Sequence, residues 1–213
     1  ARRAVQLAHP SDPERGIYLS NLCLALRELG QSRRDDTLIT EAITHGLAAT
    51  TTADGSANQW IIVAGAYLAR YELRGNPADL DDAIRFGQQA VRTDPEHAPA
   101  ATFTSSALHR RFEHTTESAD IDRAVGLARI ASTLQPSLET FDALAIALAS
   151  RRQPGDAEGS VVAARRAVPD PSTADLTYVI TLANTLALTH DVHGNDAALD
   201  EAITLLRVHA DTP

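Results

Sequence analysis

The stretch from Asn58 to Pro95, NQWIIVAGAYLARYELRGNPADLDDAIRFGQQAVRTDP, decides the fold. Trp60, Val63, Ala64 and Tyr67 fall at helical offsets of three, four and seven, so they share one face of a helix. Ala83, Gly87 and Ala90 do the same in the second half, and Pro95 closes the unit. The small residues Ala64, Ala83, Gly87 and Ala90 let two helix backbones approach closely. Gly75 is placed to end the first helix in the left-handed conformation. Asn76 then caps the second helix, Pro77 fits its first turn, and Asp79 suits its positive end.

The rest of the chain reads as copies of this unit. A first copy has Leu19, Leu22, Cys23 and Leu26 in the Trp60-to-Tyr67 register, then Ala42, Gly46 and Ala49. Its helices are expected over about 14–30 and 36–50. A third copy is degenerate in its first helix (Ala101, Thr104, Ser105, Leu108) and clear in its second (Ala124, Ala128, Ala131, Pro136). A fourth has Phe141, Leu144, Ala145 and Leu148, then Ser160, Ala164 and Ala167. A fifth has Val179, Leu182, Ala183 and Leu186, then Ala202, Leu206 and His209. The key small positions are 42, 83, 124, 160 and 202, separated by 41, 41, 36 and 42 residues. The expected organisation is one array over 1–213: a half-repeat at 1–10, then repeats over about 14–54, 55–96, 97–136, 137–172 and 173–213, with about 11 helices. In the fourth copy Arg151-Arg152-Gln153-Pro154-Gly155 is expected to close the turn between the helices early, removing most of the extra length.

Composition sets the class. Hydrophobic residues make up 44% of 213, but aromatics only 4%, and Ala dominates. That suits close-packed helices better than a sheet, which favours β-branched and aromatic residues. All 19 basic residues are Arg, and the net charge is −9, which argues against a nucleic-acid partner, since that needs a basic face. No apolar run reaches the ~18 residues of a membrane span, and no signal-peptide pattern opens the sequence. The absence of Met leads us to expect a piece of a longer chain. A single cysteine gives no internal disulfide framework, and a cytoplasmic setting is the default expectation.

The spacings Trp60-x2-Val63-Ala64-x2-Tyr67 and Ala83-x3-Gly87-x2-Ala90-x4-Pro95 resemble the two helices of a tetratricopeptide (TPR) repeat. The ordinary unit is ~34 residues, so this is a long variant. It is similar to one common in actinobacterial proteins. Tyr18-Leu19-Ser20-Asn21-Leu22 matches the opening of that variant, Ala107 to Glu113 its middle, and Ala78 to Ile84 and Ala198 to Ile203 its close. The resemblance covers nearly the whole chain. It implies an all-α fold, a right-handed α-solenoid of helix-turn-helix repeats. It also implies a non-enzymatic protein-interaction scaffold or sensor module that binds a peptide or helical segment in a concave groove. Such arrays often adjoin a CHAT-type protease domain or a signalling ATPase, so a regulatory accessory role is the alternative. A self-associating structural module is a third.

Residues with chemical potential read as structural. Cys23 aligns with Ala64 at the 41-residue offset, so it is expected to be a buried thiol, not a nucleophile. His190 and His193, like His109 and His114, lack the partners of a zinc motif and are expected to be solvated helix-end residues. Asp79, Asp81 and Asp82, Asp120 and Asp122, and Asp200 and Glu201 recur at the start of second helices, where the helix dipole favours them. No cofactor or metal is expected, and no catalytic residue is assigned.

In such arrays the first helix of each pair lines the groove. The partner-binding residues expected there lie just off the packing register. They are Asn21, Leu24 and Arg27 in the first repeat, with Ile61 and Leu68 in the second. Phe103, Ser106, His109 and Arg110 follow in the third, Ile146 in the fourth, and Ile180 and Asn184 in the fifth. With no Lys, the Lys/Asn/Arg set that grips a peptide terminus is not available. The apolar members instead suit an apolar or helical segment of a partner, within the same polypeptide or another, unless they pack between repeats. The last helix keeps Leu199, Ile203 and Leu206 at apolar spacing with no polar cap, so homo-oligomers through uncapped ends are a further expectation.

Overall fold

The computed structural model describes residues 9, 12, 14–52, 55–171 and 173–210. The half-repeat expected at 1–10 falls, but for His9, outside them. The described residues form ten α-helices: α1 (Arg15–Arg33), α2 (Asp36–Thr50), α3 (Ala57–Arg74), α4 (Pro77–Thr93), α5 (Ala98–Thr115), α6 (Ser118–Leu134), α7 (Leu138–Arg151), α8 (Asp156–Ala167), α9 (Leu176–His193) and α10 (Asp196–Ala210). They pair as hairpins in chain order. By their contacts they divide into two compact units, Ala1–Ala107 and Leu108–Pro213.

Local chemistry sets the ends. Asp35 caps α2 by accepting from the Thr37 and Leu38 amides. Ser56 and Gln59 form a reciprocal capping box on α3, and Ser137 and Thr140 form one on α7. Gly75, at φ 67°, ends α3, and its amide donates to the Tyr71 carbonyl at 2.7 Å. Asn76 accepts from the Ala78 amide and Pro77 opens α4, as the sequence implies. Gly194 repeats the device after α9. In the other three hairpins the left-handed position is filled by Arg34, Thr116 and Arg152, where no glycine signals a stop.

In the first unit one cluster joins Leu22, Cys23 and Leu26 of α1 to Ile39, Ala42 and Ile43 of α2, and to Val63, Ala64, Tyr67, Ala83 and Phe86 of α3 and α4. Phe86 is flanked by Trp60 and Tyr67, with ring centroids 5.9 and 5.4 Å away. In the second unit Ala145 and Ala164 meet Val179, Leu182 and Leu186 of α9 and Ala198 and Ala202 of α10. Ala42, Ala83, Ala124, Ser160 and Ala202, the residues that define the repeat, are all buried. So are Ala101, Thr104, Ser105 and Leu108 of the degenerate helix. Thr104 is accommodated because its hydroxyl donates to the Ala100 carbonyl at 2.7 Å and Gly87 leaves room opposite.

The extra length of the repeat lies in the helices. α3 and α4 have 18 and 17 residues, whereas α7 and α8 have 14 and 12. The fourth hairpin is thus shortened in its helices, although its Arg152–Gly155 connection is longer than the Gly75-Asn76 turn.

Each of the three inner hairpins is clasped by an arginine–aspartate pair. Arg70 Nε donates to Asp79 Oδ1 at 3.0 Å. Arg111 binds Asp120 at two points, each 2.7 Å long. Arg151 binds Asp156 at 2.9 and 2.7 Å, with the Gln153 amide adding a third bond at 2.8 Å. The three aspartates are buried. The recurrent acidic residues therefore do more than favour a helix dipole. They neutralise an arginine brought across the turn from the preceding helix.

Candidate functional site

The first helices of the last three hairpins frame one cleft in the second unit, with a volume of about 510 Å³. α5 contributes His109, Phe112 and Glu113. α7 contributes Ile146, Ala149 and Ser150, with Arg152 just past its end. α9 contributes Thr181, Asn184, Thr185 and Leu188. Each set follows three- and four-residue steps, so each helix presents one stripe. Ile146, Ala149, Phe112 and Leu188 supply apolar surface among hydroxyl, amide and charged groups. Such a mixture can hold a side chain and hydrogen-bond the backbone beside it.

His109 ties two walls of the cleft together. Its Nε2 lies 2.7 Å from Ser150 Oγ. The ring is half-buried, and burial holds its pKa below the usual histidine value, with Arg110 acting the same way and Glu113 opposing. This corrects the expectation of a solvated helix-end histidine at this position. His190 and His193 also have carboxylate neighbours, Asp196 at 3.3 Å and Glu158 at 2.7 Å. One turn before Ile146, Asp142 is half-buried, with a buried Oδ1 that accepts no hydrogen bond. Burial raises its pKa, and a hydrogen bond from Thr181 partly offsets that.

Of the residues expected from sequence to meet a partner, His109, Ile146 and Asn184 come together in this cleft. Arg110 is half-buried on α5, and Ile180 is exposed on α9. In the first unit, Asn21 and Ser106 are exposed, and Leu24 is half-buried. Leu68 and Phe103 are partly buried against the α1–α4 core. Ile61 packs against the small cluster of Ala57, Ala90 and Ala100. Arg27 lies against α3 at Gly65, where an added Cβ would come within 2.7 Å of Nη1. Phe112, Ser150, Arg152 and Leu188 are cleft residues that the offset to the packing register does not reach. Stepping three or four residues from His109, Ile146 and Asn184 along each helix finds Phe112, Ser150 and Leu188. Arg152 follows α7 and is outside that period.

Among the described residues no helix is long and apolar enough to cross a membrane. No protein-family model matches the sequence, and no curated protein matches it. Solved structures do. Over 87% of both chains, with a TM-score of 0.62 and 20% identity, the chain is similar to TTC0263, a thermophilic TPR protein of Thermus thermophilus. The fold is an all-α helical repeat of the TPR kind. It is also similar to MamA 41-end from Desulfovibrio magneticus RS-1, with a TM-score of 0.62 and 15% identity over 91% of this chain and 98% of that one. At these identities the likeness speaks for TPR architecture alone.

Proposed function

We propose that this chain is a non-catalytic protein-interaction module whose second-unit cleft takes a peptide or helical segment of a partner polypeptide. One observation carries the reading: three successive first helices converge on one cleft of about 510 Å³ that combines an apolar strip with Asn184, Arg152 and Glu113. An apolar strip with a few directional polar groups is what helix-in-groove recognition uses. The same cleft would serve if the array regulates a CHAT-type protease or a signalling ATPase. The occupant would then be a segment of that effector. A segment tethered in the same polypeptide would reach the groove at high effective concentration.

The test is selection of a phage-displayed peptide library on the 213-residue chain, followed by anisotropy titration of the enriched peptides against Asn184→Arg and Ile146→Glu. Asn184 is exposed, so its replacement should leave the thermal midpoint in place while weakening peptide binding by roughly tenfold or more. Peptides that bind both variants as well as the parent would overturn the assignment.

A further inference from the structure

The second-unit cleft adjoins another hollow. Arg152 and Leu188, which line the cleft, also line a hollow of about 400 Å³ between the α7–α8 turn and the end of α9. Pro154, Ala157 and Val192 give this hollow apolar surface, and Val192 is 55% exposed. Its acidic member, Glu158, is engaged by His193 at 2.7 Å. Arg152 differs from its charged neighbours. It is exposed, and among the described residues its guanidinium is in no ion pair or hydrogen bond. Arg151, the residue before it, is held by Asp156 and Asp122.

We infer that the segment taken by the cleft continues over Arg152 into this hollow, and that it presents an acidic side chain, Asp or Glu, to Arg152 between two apolar residues. This rests on the cleft reading above and names the chemistry of its occupant. Charge selects that chemistry. Arg152 is the one arginine lining either hollow, and it stands where the two meet. Its guanidinium offers a planar fork of donors that matches a carboxylate. An occupant that covered it without pairing would leave a desolvated, unpartnered cation. The carboxylate belongs to a side chain and not to a chain end, because apolar surface for the occupant lies on both sides of Arg152. Ile146 and Ala149 lie on one side, and Pro154, Ala157 and Val192 on the other. Glu113, on the α5 wall of the cleft, disfavours a second acidic residue there.

The probes are peptides enriched from the phage-displayed library on the 213-residue chain, each made with a free and with an amidated C-terminus. They should share an Asp or Glu flanked by apolar residues. Replacing that acid by its amide should weaken binding to the parent roughly tenfold and leave binding to Arg152→Gly unchanged. Arg152→Glu should prefer the peptide in which Lys replaces the acid. Val192→Glu should weaken binding, and amidation should not. Arg152 has φ 56°, where Gly75 and Gly194 stand in two other hairpins, so Arg152→Gly should keep the thermal midpoint of the parent or raise it. Peptides that lose affinity for Ile146→Glu yet ignore both Arg152→Gly and Val192→Glu would overturn this inference and leave the cleft reading standing. Loss of binding on amidation would overturn it too, since the carboxylate would then be a chain end. Peptides indifferent to Ile146→Glu, or a library with no binder, would remove both readings.

Discussion

Arg111 grips Asp120 at both carboxylate oxygens, Nε to Oδ2 and Nη2 to Oδ1, across the turn between α5 and α6. Asp120 is only 5% exposed, so its charge is compensated largely by that one guanidinium. Removing one partner leaves the other ion poorly solvated, whereas removing both removes the problem. Asp120→Ala should destabilise the second unit by about 2–4 kcal/mol, and Arg111→Met with Asp120→Leu by about 1 kcal/mol or less. Urea unfolding followed by circular dichroism distinguishes the two. Equal losses in the single and double variants would mean that the stranded arginine costs nothing.

Two helical glycines should respond in opposite directions to alanine. A Cβ on Gly46 would lie 3.0 Å from both Cys23 Sγ and Val63 Cγ2. Gly46→Ala should cost about 1–3 kcal/mol from overpacking. Gly126 is exposed in α6 with open space around it. Gly126→Ala should stabilise by about 0.5–1 kcal/mol by removing helix-interior glycine. Thermal midpoints of the two variants, measured together, check the sign of each.

Cys23 is fully buried, and its thiol pKa is pushed up to about 11 by burial, against the opposing pull of Arg27 and of a hydrogen bond from the Gly46 backbone. A thiol reagent at neutral pH should label it slowly in the folded chain and rapidly in denaturant, because the thiolate is the reactive form. Fast labelling under native conditions would contradict the burial.

His109 makes the second unit sensitive to mild acid. Its pKa in the folded chain lies below the 6.5 of a free histidine. The unfolded chain therefore takes up the proton first as pH falls. Stability should be constant above about pH 6.5 with respect to this group, and should decline as pH drops through that value toward the folded one. His109→Gln should flatten that part of the profile of thermal midpoint against pH. An unchanged slope would assign the sensitivity to other groups.

Most of the fold is legible because the repeat is written in small residues. The 41-residue recurrence of Ala42, Ala83 and Ala124 follows from close helix contacts, and all three are buried. The expected 36–50 boundaries of α2 are those observed. The Arg–Asp clasps are half legible. Arg70 and Asp79 recur 41 residues later as Arg111 and Asp120. Yet the helix dipole already gives a sufficient local reason for the aspartates, and nothing in it points to the arginines. The cleft is less legible still. His109, Ile146 and Asn184 stand out by their offset to the packing register. That offset does not separate a residue facing open space from one leaning on its own core, as Leu68 and Phe103 do.

The aromatic stack of the first unit has a practical consequence. Trp60, the chain's single tryptophan, lies beside Phe86, whereas Leu108–Pro213 has no tryptophan. Indole emission is therefore a spectroscopic window on half of the polypeptide, while amide ellipticity averages over all of it. Two melting curves that superimpose would describe one cooperative transition. Two that separate would time the halves independently, without a label or a truncated chain.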